Sequence, residues 1–269
     1  MMIRSAYTDT RHGQVHYRYC RNEQTTDLPV VYLHKSASSS STYKTLIEGL
    51  AYRFSGYALD TPGFGNSYDP DEVIDTRYYI DTLIEALDSI GLQRFHLVGH
   101  HTGACLGIEM AVLFPKRVAS LVMIGPALLN PEERMRFRAD YSSAFNQPVS
   151  DGQHLMLTWD YLKRMGVGNG LALHQREFLD HCRAWKGRVQ AYNAIWDQDC
   201  LSLFLKVTCP MLATCAEDDV LWPYFSRVNQ LHPKVQCIVT AGGNFEPDRD
   251  TAFHLQILSD FFQQQHVNN

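Results

Sequence analysis

The ten residues Phe95-His96-Leu97-Val98-Gly99-His100-His101-Thr102-Gly103-Ala104 restrict the fold more than any other part of this sequence. The apolar run from Phe95 to Val98 reads as a short strand buried on both faces. Helical spacing begins at about Thr102 and holds to Phe114, where Pro115 stops it. No loop separates the two, so the chain passes from strand to helix in one sharp turn centred on His101. Gly99 and Gly103 flank that turn. Without Cβ atoms they let strand and helix approach closely while the central residue takes a strained backbone.

The same alternation recurs on either side. Pro29–Leu33 and Gly56–Asp60 read as strands, with a polar loop from His34 to Ser41 and a helix from Thr42 to Phe54 between them. A glycine-rich turn, Thr61–Ser67, leads to an amphipathic helix, Thr76–Ile90, closed by Gly91. After the central turn, Val118–Ile124 is another apolar strand, ended by Gly125-Pro126. Strand, helix and strand in succession predict a parallel sheet with right-handed crossovers. Ahead of it, Ile3–Arg21 alternates about His12-Gly13 as an antiparallel hairpin. Residues 127–199 show helical periodicity, many charges and several aromatics but no strand run, which predicts a helical insertion over a core made of 1–126 and 200–269. That core resumes with a strand at Pro210–Cys215, a helix at Pro223–Leu231, a strand at Val235–Thr240 and a closing helix from Asp250 to Gln264.

Composition narrows the function. The 269 residues suffice for one sizeable domain or a core plus insertion. Twenty-four Lys and Arg against 29 Asp and Glu give a net charge of −5, without a basic run or a basic-aromatic stripe. No nucleic-acid partner is therefore expected. No segment reaches the roughly 18 apolar residues of a membrane span, and the first residues lack the pattern of a leader peptide. The seven cysteines are odd in number and not closely paired. They read as reduced thiols of a cytoplasmic protein rather than a disulfide or zinc framework. A small-molecule substrate is the expected partner, with a homodimer left open.

Five motifs, in order, carry a resemblance to the α/β-hydrolase superfamily. Leu33-His34 resembles the family's His-Gly oxyanion loop, and Asp60-Thr61-Pro62-Gly63-Phe64-Gly65-Asn66-Ser67 its D-x-P-G-x-G-x-S segment. Gly99 to Gly103 has the spacing of the G-x-S-x-G nucleophile elbow. Ala216-Glu217-Asp218-Asp219 resembles the loop of the triad acid, and Gly242-Gly243-Asn244-Phe245 the loop of the triad histidine. The resemblance implies a mostly parallel, eight-stranded sheet flanked by helices, with 127–199 as a helical cap.

Three positions depart from the family. His101 stands for the serine, Asn244 for the histidine and Lys35 for the glycine after the oxyanion-loop histidine; Asp219 matches the acid. The exchange roughly conserves volume: a large ring moves onto the elbow and a smaller amide takes the late loop. The expected site therefore has His101 bonded to Asp219 directly or through Asn244. A carboxylate partner would fix the ring's tautomer. The backbone amides of Thr102 and of Lys35 or Ser36 would form the oxyanion hole, with the Lys35 side chain directed to solvent. His34, His100 and Trp222 are expected in the pocket wall or just behind it. No metal or organic cofactor is expected; His34, His100, His101 and Asp219 lack the spacing of a zinc motif. Two functions follow. One is an enzyme for an ester-like or carbonyl-containing, hydrophobic small molecule, with His101 as base or nucleophile in hydrolysis, C–C cleavage or cyclisation. The other is an inactive hydrolase fold that holds an apolar ligand as receptor or carrier.

Overall fold

The computed structural model describes residues 2–71 and 73–267. Strands β1 (Arg4–Thr10) and β2 (Gly13–Cys20) form the hairpin, turning at Gly13. The strands β3 (Val30–Leu33), β4 (Gly56–Leu59), β5 (Phe95–His100), β6 (Val118–Ile124), β7 (Met211–Ala216) and β8 (Gln236–Thr240) complete one eight-stranded sheet. Its order is β1-β2-β4-β3-β5-β6-β7-β8. β2 meets β1 and β4 antiparallel, and all later pairs are parallel.

The continuous apolar strands reflect burial on both faces. Val31, Leu33, Leu97, Leu121 and Met123 point into one core, against α2 (Thr76–Ser89) and α3 (Thr102–Leu113). Val30, Tyr32, Val98, Val122 and Ile124 point the other way, against α1 (Lys44–Leu50) and the closing helix. Each such side chain contributes about 1.5–3 kcal/mol by leaving water. Asp75 starts α2 by accepting from the Tyr78 amide at 2.8 Å.

Between β6 and β7 lie α4 (Pro131–Tyr141), α5 (Gln153–Arg164), α6 (Leu171–Arg183), α7 (Trp185–Asp197) and α8 (Cys200–Phe204), with no strand among the described residues. The helical stretch thus runs beyond residue 199, where the sequence reading ended it. Asn130 and Glu133 close a reciprocal capping box at the start of α4. Arg188 is buried in this layer with Phe145, Tyr161 and Tyr192 around its guanidinium.

Three helix boundaries differ from the sequence reading. Residues 40–43 form a 3₁₀ turn before α1, because Ser39 accepts from Ser41 and tightens the entry. The helix read at 223–231 is two pieces, α9 (Trp222–Phe225) and α10 (Arg227–Leu231). The closing helix read at 250–264 is α12 (Thr251–Val267), reaching Val267, and a separate short helix, α11 (Glu246–Arg249), precedes it. No helix of the described residues is long and apolar enough to cross a membrane.

Candidate active site

The β5–α3 turn is built by close backbone approach. A Cβ on Gly103 would lie 2.2 Å from the Leu33 carbonyl oxygen, and one on Gly99 would lie 2.3 Å from that of Gly103. Only glycine fits either place. Among the described residues His101 is the one non-glycine with positive φ, at 47°. Such a conformation costs on the order of 1–3 kcal/mol and persists where its surroundings hold it. Here the His101 amide donates to Ile124 O at 2.9 Å, and its carbonyl accepts from Ala104 and Cys105 at 2.9 and 3.0 Å.

The turn lifts the imidazole to the C-terminal edge of the sheet, where β7 delivers Asp219. His101 Nε2 lies 2.8 Å from Asp219 Oδ2. The carboxylate is wholly buried, and its other oxygen accepts from the Leu221 amide at 2.7 Å. With Nε2–H donating to a carboxylate, the lone pair of the ring resides on Nδ1, two bonds from Cβ and so near the place of a serine oxygen. The ring packs against Gly125, where an added Cβ would stand 2.5 Å from His101 Cδ2. Gly125 also has φ 55°. Its part in the site was not anticipated; the Gly-Pro pair after β6 marked only a strand end.

Asn244 does not serve as the relay considered above. Its Nδ2 donates to Met165 O at 2.9 Å and its Oδ1 accepts from the Val220 amide at 3.3 Å. The amide thus ties the end of α5 to the acid loop. Trp222 stacks on Phe225 and is absent from the cavity wall, which Val220 and Leu221 enter in its place. His34 lies under the oxyanion loop: Nδ1 donates to Lys35 O at 2.8 Å and Nε2 accepts from the Thr61 amide at 3.1 Å. Burial lowers its pKa, consistent with that neutral tautomer. His100 is wholly buried behind the elbow, its ring edge-on to His101 at 4.3 Å, and burial holds it neutral.

In the loop after β3, the Ser36 amide donates to Thr102 Oγ1 at 2.8 Å. Tyr192 of α7 donates to Ser36 O at 3.0 Å and steadies the loop from above. The Lys35 side chain is buried rather than solvated. Its Nζ meets Glu177 Oε2 of α6 at 2.7 Å and stands 4.4 Å from the centre of the Phe245 ring. Glu177 also accepts from Arg176 at 2.6 Å and from Ser38 at 3.0 Å, and Arg176 is clamped to Asp248 at 2.6 and 2.7 Å. Burial pushes the Glu177 carboxyl up, but Lys35 and then Arg176 outweigh it and hold it ionised. No local sequence signal marks Glu177, which reaches the site from 142 residues away.

A second carboxyl lies behind Asp219. Glu246 is wholly buried, accepts from the Ala216 amide at 2.9 Å and is bonded to the hydroxyls of Thr240 and Thr214. Burial, reinforced by the charge of Asp219, raises its pKa from 4.5 to about 8. The folded state therefore binds this proton more tightly than the unfolded chain. Its contribution is full below about pH 4.5 and is lost as pH rises through about 8. Glu246→Gln should flatten this fall: melting curves from pH 5 to 9 should show the native protein losing stability relative to the variant. Parallel curves would remove the assignment.

Donor atoms of His100, His101 and Asp219 lie within 4.8 Å of one another, as do those of Cys215, Asp219 and Glu246. His101 Nε2 and Asp219 bond each other, and Glu246 bonds an amide and two hydroxyls.

Above the dyad is a cavity lined by His101, Lys35, Thr102 and Asn244 and by aromatics such as Tyr161 and Trp196. The arrangement offers a carboxylate-held imidazole, an amide at a helix N-terminus and an apolar chamber.

Residues 29–167 match the family described as the alpha/beta hydrolase fold. The chain belongs to the α/β-hydrolase family. The RutD protein of Yersinia enterocolitica, named for carbamate hydrolysis, is 30% identical over 197 residues, 69% of this chain and 68% of that one. The carboxylesterase nap of Bacillus subtilis is 29% identical over 158 residues, 58% of this chain and 51% of its own length. Among solved structures, the enol-lactonase of Burkholderia xenovorans superposes with a TM-score of 0.80 at 16% identity, covering 96% of this chain and all of that one. At that identity the likeness concerns the fold.

Proposed function

We propose that this α/β-hydrolase is an enzyme for a hydrophobic small molecule bearing an ester-like or other carbonyl group, and that His101 replaces the serine as its reacting residue. Relatives named for carbamate and carboxylester hydrolysis support a hydrolase for esters or carbonyls. The observation that carries the imidazole reading is the His101 Nε2–Asp219 contact of 2.8 Å beneath the cavity. We read residues 127–199 as its cap, over a core of 1–126 and 200–269.

With Nε2 committed to Asp219, Nδ1 is the base. It takes a proton from a water molecule, and the hydroxide adds to the carbonyl carbon. The electron pair moves to the carbonyl oxygen beside the Thr102 amide, whose place at the start of α3 favours negative charge. Collapse expels the leaving group, which receives the proton from the imidazolium. Abstraction from a substrate carbon uses the same atoms, with an enolate as the anion. Direct attack by Nδ1 would instead give an acyl-imidazole. Each route runs on groups of this chain.

Small activated aryl esters test the reading. The native chain should turn them over, and a serine-directed fluorophosphonate should leave it unlabelled. Labelling at a serine would place the nucleophile elsewhere. Absence of turnover with any ester, together with apolar-ligand binding unaffected by His101→Ala, would favour the receptor reading.

A further inference from the structure

Of the two amides expected to supply the second donor of the oxyanion hole, those of Lys35 and Ser36, that of Ser36 is taken by Thr102 Oγ1 at 2.8 Å. The same loop carries a lysine where the family resemblance has glycine, and that lysine is buried in the cavity wall. A buried ammonium carries a large desolvation cost and is retained where its charge is used or fully paired.

The pairing of Lys35 is partial. An ammonium has three N–H donors, and among the described residues Nζ donates one hydrogen bond, to Glu177 Oε2. Glu177 divides its own charge among Lys35, Arg176 and Ser38. The Phe245 face, 4.4 Å away, steadies the cation without accepting a conventional hydrogen bond. Phe245 directly follows Asn244, and Asn244 is bonded to Val220, the neighbour of Asp219. Lys35, Phe245 and Asn244 line the same cavity as His101 and Thr102.

We propose that the Lys35 ammonium, in place of a second backbone amide, completes the oxyanion hole, so that the cavity selects ligands that set a carbonyl or anionic oxygen against it. The inference rests on the imidazole reading above for its catalytic meaning. Charge then balances within the site: the proton lost by water or substrate resides on His101 Nδ1, and the electron pair gained by the carbonyl oxygen faces Lys35. Such charge-assisted bonds are shorter and stronger than neutral ones.

The probe is 4-nitrophenol, whose phenolate is distinguished from the phenol by its visible absorbance, with nitrobenzene as the neutral companion of similar shape. Native protein should bind the phenolate at least about tenfold more tightly than nitrobenzene, the scale of one charge-assisted hydrogen bond. Lys35→Met should abolish that preference while nitrobenzene affinity stays within about twofold, and Lys35→Arg should keep part of it. Because Lys35→Met leaves Glu177 with one cation fewer, Lys35→Met/Glu177→Gln provides a charge-balanced variant that should behave alike. Retention of the phenolate preference in either variant lacking Lys35, or no binding of 4-nitrophenol by the native chain, overturns the proposal. His101→Ala separates the two readings. It should lose ester turnover yet keep the phenolate preference; a native chain with the preference but no turnover would sink the enzyme reading and leave Lys35 as a binding residue.

Discussion

His101→Ala should lower kcat/KM for a small aryl ester by about 10²–10⁴-fold, the range removed with a positioned general base. Asp219→Asn should fall in the same direction, because an amide facing Nε2 can present either a carbonyl or an NH₂ and no longer selects one tautomer. The two losses should not add: the double variant should be about as slow as the worse single one, as befits groups that act as a unit. His101→Ala also strands Asp219, buried, without its ring partner, so melting temperature must be followed beside activity. A folded His101→Ala protein with undiminished turnover would end the imidazole reading. A trapped acyl-imidazole, released by hydroxylamine in the native chain, would choose nucleophile over base without moving the reacting atom.

Gly103→Ala should be severely damaging. The new methyl would sit 2.2 Å from Leu33 O and 2.8 Å from His34 O, both backbone atoms of the oxyanion strand and loop. Neither can swing aside as a side chain tip would, so β3, β5 and α3 must separate. The expected loss exceeds about 4 kcal/mol, a size tied to few mechanisms. Gly170→Ala is the internal control. Its Cβ would meet nothing within 4 Å and its φ is −75°, so it should melt within a degree or two of the native protein. Similar melting of both variants would show that the elbow is looser than the close approach implies.

Much of the core was legible because buried strands and amphipathic helices have periodicities that a sequence displays directly. The alternation about Gly99 and Gly103 pointed to a parallel sheet, and the sheet has that character in β3 to β8. The entry to α1 moved because a short-range hydrogen bond at Ser39 decides it. The helical stretch between β6 and β7 was visible, but its contacts were not. Which aromatics face the chamber depends on how α5, α6 and α7 cross, and no local pattern encodes that.

Lys35 shows the limit most clearly. A lysine in a polar loop is ordinarily solvated, and solvent was the expectation from sequence. Its burial depends on Glu177 and Phe245, 142 and 210 positions further along, which only the folded chain brings to it. Asn244 is the converse case: a residue placed in the catalytic line by motif alone spends its amide on Met165 and Val220. Sequence by itself determined the turn and the residue at its apex, because glycine spacing and chain stiffness are local properties. Tertiary structure decided what that residue meets. His101 and Asp219 are 118 positions apart, and their contact exists because β5, β6 and β7 lie side by side and end at one edge.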